Sequence, residues 1–87
     1  YNYIRIQQEE SSEDKSFRFG LYLKNNPIYS TQKPQLRANC ANRLSYDIDG
    51  NSYSVKYDDS GCYSDDENFI EVRFRFGNKI VSQKFYL

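Results

Sequence analysis

The sequence predicts an all-β fold: a small antiparallel β-sandwich, or a barrel, of about seven to eight short strands with one disulfide. Three observations carry that expectation. Apolar and polar residues alternate with period two along most of the chain, and turn-forming residues recur every eight to twelve or so positions. The composition, with nine tyrosines, six phenylalanines and no tryptophan, methionine or histidine, suits strands that bury a largely aromatic core. A length of 87 residues implies one domain, residues 1–87, without room for a second core.

Taken in order, YNYIRIQ sets Ile4 and Ile6 on one face and Tyr1, Tyr3 and Arg5 on the other, a first strand. Residues 8–16 are polar and hold Glu9, Glu10, Glu13 and Asp14, which reads as a solvated acidic loop. FRFGLYL then places Phe17, Phe19, Leu21 and Leu23 inward, with Arg18, Gly20 and Tyr22 outward. Lys24-Asn25-Asn26-Pro27 is a turn by composition, Ile28 to Thr31 has length for only a short strand, and Pro34 confines the residues after it to an edge or a connection. Leu36, Cys40 and Leu44 fit a helical stripe, but every even position from 36 to 48 except Asn42 is apolar. The strand period is therefore expected to run unbroken into the next element, since Asn39 and Asn42 are poor helix interiors.

The segment from Cys40 to Cys62 reads as a hairpin closed by the only two cysteines. Directly opposed residues of an antiparallel pair share a face, so Ile48 should face Tyr53, Tyr46 face Val55 and Leu44 face Tyr57, with Gly50-Asn51 as the tight loop. That register puts Cys40 opposite Gly61. One extra residue in the second strand, within Asp58-Asp59-Ser60-Gly61, would bring Cys62 across from Cys40. Closing this loop should stabilise the fold by roughly 3 kcal/mol. Past an acidic loop at Asp65, Asp66 and Glu67, FIEVRFRF turns Ile70, Val72, Phe74 and Phe76 inward and Glu71, Arg73 and Arg75 outward. Gly77-Asn78 is a type II′ pair, after which Val81 should face Phe74, Phe85 face Ile70, and Lys84 form a cross-strand charge pair with Glu71.

For function, the residues say first what is missing. There is no histidine to act as a base near neutral pH, and the cysteines are expected to be oxidised. No nucleophile elbow, phosphate loop or His/Cys metal spacing occurs. The sequence therefore points to a protein that is not an enzyme and implies no cofactor. A hydrolase working through Glu71 and Arg73 is a remote third reading. Asp47, Asp49 and Asn51 have the alternate spacing of calcium-loop ligands, but Ser52 stands where such a loop needs glycine, and strands flank it; they read as turn residues.

Twelve basic residues balance twelve acidic ones, so no global field draws nucleic acid, and no apolar run is long enough for a membrane-spanning helix. A chain that begins in a strand at Tyr1 and carries a cysteine pair reads as secreted or periplasmic, with a signal peptide removed or an upstream cut. The outward arginines and tyrosines, Tyr3, Arg5, Arg18, Tyr22, Arg73 and Arg75, are residue types that protein interfaces enrich. The acidic loops at Asp58, Asp59, Asp65, Asp66 and Glu67 could dock a basic groove. The leading expectation is a module that binds another protein, as an inhibitor, an immunity-type factor or a subunit of an extracellular assembly. The alternative is a carbohydrate-binding module with tyrosine platforms such as Tyr3 and Tyr22 and a structural calcium.

Overall fold

In a computed structural model, which describes residues 3–30 and 32–87, the chain forms eight strands in two antiparallel sheets and no helix. Tyr1 and the Thr31 end of the expected short strand lie outside the described residues. The first sheet contains β1 (Ile4–Glu9), β2 (Ser16–Leu23), β6 (Ser52–Asp58) and β5 (Asn42–Asp49) in the order β1-β2-β6-β5. The short β3 (Asn26–Pro27) pairs with the end of β2. β4 (Gln35–Ala38), β7 (Phe69–Phe76) and β8 (Lys79–Tyr86) make the second sheet in the order β4-β7-β8. The smallest dimension of the molecule is 19 Å, as expected for two sheets stacked about 10 Å apart with side chains on both outer faces.

The core is the set of inward positions that the alternation picks out. Ile6, Phe17, Phe19, Leu21, Tyr53 and Val55 from the first sheet meet Ile70, Val72, Phe74 and Phe85 from the second. Phe19 lies at the centre: its ring stacks on Tyr53 at 5.1 Å and meets Phe74 edge-on at 6.0 Å. Tyr53 is the one core residue with a polar tip, and its hydroxyl reaches the carbonyl oxygens of Ser30 and Gln32 at 3.2 and 3.1 Å. A buried phenol thus pins the connection that carries the chain from one sheet to the other, and its burial raises the Tyr53 pKa above the usual phenol value.

Next to their turns, both hairpin registers follow the expected pairs. Ile48 faces Tyr53 and Tyr46 faces Val55 around Gly50-Asn51, while Val81 faces Phe74, Phe85 faces Ile70 and Lys84 faces Glu71 around Gly77-Asn78. Gly50 and Gly77 take φ of +65° and +64°, the sign that the first position of a type II′ turn needs. Cys40 and Cys62 form a disulfide with a Cα–Cα distance of 5.2 Å.

Several expectations are corrected. The register shift in the Cys40–Cys62 hairpin sits in the first strand, between Asn42 and Ser45, and not within Asp58–Gly61. Arg43 takes φ +55° there, so the extra residue lies opposite Tyr57, and the simple Leu44–Tyr57 pairing is lost. The physical reason is that Asp58-Asp59-Ser60-Gly61 uses its turn chemistry to end β6: the Asp58 carboxylate accepts from Ser60 N at 2.9 Å, and Cys62 N donates to Asp59 O at 2.9 Å. That turn carries Cys62 back to Cys40 without a bulge in β6.

The even-position run from 36 to 48 is also broken, at 39–41, where the chain leaves one sheet for the other. Asn39 makes the break possible. Its side chain donates to Glu67 O at 2.8 Å and accepts from Phe69 N at 3.0 Å, standing in for a strand partner beside β7. β4 is an edge strand, in line with Pro34. Within the described part of the expected short strand, residues 28–30 are not in a strand; Asn26–Pro27 pairs instead, since β2 offers it free backbone groups at Tyr22 and Leu23 beyond the reach of β6. Finally, Gln8 and Glu9 extend β1 instead of opening the acidic loop.

Candidate functional site

The expected Arg/Tyr positions do not form one surface. They divide between the two outer faces of the sandwich, which point in opposite directions. On the first sheet Arg5 lies opposite Tyr22, Gln7 opposite Gly20 and Glu9 opposite Arg18, with exposed Tyr3 just before β1. β6 continues these rows with Ser52 beside Gly20 and Ser54 beside Arg18.

Glu9 organises this face. Its Oε2 accepts from the Tyr22 hydroxyl at 2.6 Å and its Oε1 from the Ser52 hydroxyl at 2.7 Å, so one carboxylate from β1 reaches over β2 to β6. The reach depends on Gly20, where a Cβ would come 2.8 Å from Glu9 Oε2 and 2.9 Å from a Tyr22 ring carbon. The Tyr22 bond is the main cause holding the Glu9 carboxyl below its usual value of 4.5; the Ser52 bond and the Arg18 charge act the same way, while partial burial opposes them. The same bond, now to a carboxylate, raises the Tyr22 phenol above 10.0.

The outer face of the second sheet is built differently. Glu71 is the sole carboxylate on β4, β7 and β8, whereas those strands carry Arg37, Arg73, Arg75, Lys79 and Lys84. Glu71 takes Arg37 at 3.2 Å and Arg73 at 3.8 Å, and its own side chain is only 13% exposed against 70% for Arg37. The expected Lys84–Glu71 ion pair does not form: register places the two opposite, but Glu71 is taken by the arginines, and Lys84 Nζ lies over the Phe69 ring, 4.5 Å from its centre. Phe69 in turn meets Tyr86 edge-on at 6.3 Å. Ile80 and Tyr86 are exposed at 59% and 63%. A cavity of about 240 Å³ joins Arg73, Arg75 and Ile80 to Gln32, Lys33 and Gln35.

The acidic residues gather near the disulfide. Asp58 is held below the usual carboxylate range, chiefly by the Ser60 backbone N–H, and Asp59 pairs with Lys15 at 3.1 Å. Asp65, Asp66 and Glu67 are exposed in the loop that leads to β7, and Asp59 and Asp66 line a cavity of about 270 Å³ with Cys62 and Leu87. Asp47 and Asp49 stand on β5 beside Ser54 and Ser52. Among the described residues no group of three or more histidine, cysteine or acidic side chains is placed to hold a metal ion.

The strongest structural signals that sequence reasoning missed are Glu9, Ser52 and Arg37. Gly20 was the available clue: an isolated glycine inside a strand marks a place where another group approaches closely. The molecule is thus a disulfide-linked, two-sheet antiparallel β protein with two chemically distinct outer faces. No protein-family profile matches the chain, and neither a curated protein sequence nor a solved structure does. No helix among the described residues is long and apolar enough to cross a membrane.

Proposed function

We propose that this chain is a non-enzymatic module, secreted or periplasmic, that binds another protein through the outer face of β4, β7 and β8. One observation carries the reading: Arg37 and Arg73 hold a single covered carboxylate, Glu71, with Arg75 further along the same strand and exposed Ile80 and Tyr86 nearby. Arginine and aromatic side chains dominate binding energy at protein interfaces, and a guanidinium already held by Glu71 loses less freedom on docking. The disulfide supports an oxidising compartment.

The charge distribution describes the partner. Although the chain is neutral, eleven of its twelve carboxylates lie off the three strands of this sheet, so the face is locally basic and fits an acidic protein surface. With strands about 4.8 Å apart and a rise of about 3.3 Å per residue, the face measures roughly 14 by 26 Å. That is below the roughly 800 Å² per partner of a standard stable interface, so binding recruits the adjoining 32–33 segment or is transient and salt-sensitive.

The test is chemical cross-linking in the native source followed by affinity capture. A partner held by the wild-type chain, released by raised salt and lost in Arg73→Ala/Arg75→Ala supports the proposal. Recovery of monomer alone, or capture unchanged in the double variant, removes it.

A further inference from the structure

On the opposite side of the molecule, Arg18 stands out as a guanidinium that lies in the field of Glu9 but is not bonded to it. It is half-buried and its Nε is out of contact with water, yet it makes no side-chain hydrogen bond or ion pair among the described residues. Its natural partner is at hand, because Glu9 is its directly opposed cross-strand neighbour. Both Glu9 oxygens, however, are taken by the Tyr22 and Ser52 hydroxyls. Folded proteins rarely leave a desolvated donor unpaired, and each exception calls for an explanation, a bound ion or a functional role among them. Arg18 also lines an open groove of about 860 Å³, shared with the polar residues at 8–12 and with Ser16 and Phe17.

The groove's chemistry is selective. A guanidinium fork matches a carboxylate in bidentate fashion, while serine hydroxyls, an amide and two carboxylates offer donors and acceptors to hydroxyl groups. The same two carboxylates repel a phosphate dianion more strongly than a single carboxylate group. We propose that the groove between the end of β1 and the start of β2 binds a uronic-acid saccharide, with its carboxylate on Arg18 and its ring hydroxyls on Gln8, Glu10 and the serines. The site lies on the face opposite the proposed protein-docking sheet and stands or falls independently of it.

The experiment is a titration of the ¹⁵N-labelled, disulfide-intact chain with tetragalacturonate, followed by amide shifts. Neutral galactose tetramer and inorganic phosphate serve as comparison probes. The expected result is saturable shifts confined to residues 8–12 and 16–18, absent with the neutral tetramer, smaller with phosphate, and at least tenfold weaker in affinity in Arg18→Gln. Arg18→Lys, which keeps the charge and loses the fork, should fall between. An absent response, an equal response to the neutral tetramer, stronger binding of phosphate, shifts centred on β4, β7 and β8, or undiminished binding in Arg18→Gln would each overturn the proposal. If Arg18→Gln fails to fold, the wild-type shift map and the neutral comparison still decide.

Discussion

Each outer face of the sandwich carries a glutamate beside an arginine, and the two pairs end in opposite ways. On β1 and β2, Glu9 turns to the hydroxyls of Tyr22 and Ser52, stitching three strands of its own sheet together and leaving Arg18 unpaired. On β4 and β7, Glu71 collects Arg37 and Arg73 instead. The difference lies in the neighbours. Where glycine opens a path over the middle strand, a carboxylate bonds across its sheet and strengthens it; where the neighbours are arginines, it orders them at the surface and contributes little to stability. The first carboxylate bonds across its own sheet, and the second leaves its arginines at the surface.

Removing the link common to both sheets should have the largest effect. Cys40 lies between β4 and β5 and Cys62 follows β6, so Cys40→Ala/Cys62→Ala is expected to lose about 3 kcal/mol in denaturant unfolding. Unchanged stability would show that the core alone holds the sheets in place. Next, Gly20→Val should cost about 2 kcal/mol, because its side chain displaces Glu9 from two charge-assisted hydrogen bonds. Ser82→Val, at an outward position of β8, should stay within about 0.5 kcal/mol. Equal losses at the two positions would erase the contrast between the faces.

Glu9→Gln comes third, at about 1 kcal/mol, and it makes a statement about pH. The folded-state pKa of Glu9 lies below its ordinary value of 4.5. Its stabilisation is therefore fully present above about 4.5 and is lost as pH falls through the lower folded value. Unfolding curves collected down that range should show a steeper fall for the wild-type chain than for Glu9→Gln. Parallel curves would mean that Glu9 is not the group responsible. The smallest effect on stability, within about 0.5 kcal/mol, is expected for Arg73→Ala/Arg75→Ala, the same variant that should abolish partner capture.

Much of this architecture was legible because period-two alternation reports directly on which side chains enter the core. Phe17, Phe19 and Leu21, and again Ile70, Val72 and Phe74, are inward as their spacing requires, and the two glycine-first turns set their hairpin registers. Alternation has no term for which sheet a strand joins, so the switch at 39–41 was hidden within an apparently continuous pattern. Nor does it say how far a side chain reaches. Glu9 counted as one of several acids in a loop until pairing with Arg18 placed it on a strand, two positions across from Ser52. The outward arginines were visible one by one, but only the topology separates Arg18 from Arg73 and brings Arg37 beside Glu71.

The bulge at Arg43 bears on how this protein stays out of other chains' sheets. β5 is the outermost strand on its side of the first sheet, and a straight strand there would expose a row of unpaired backbone groups beside Leu44, Tyr46 and Ile48, the last already 44% exposed. Such an edge is a template for stacking copies of the same chain. The extra residue and the left-handed backbone at Arg43 twist one end of β5 out of plane, and Asp47 and Asp49 charge the remainder. The irregularity in the cysteine-closed hairpin thus interrupts the regular row of backbone groups that an edge strand presents.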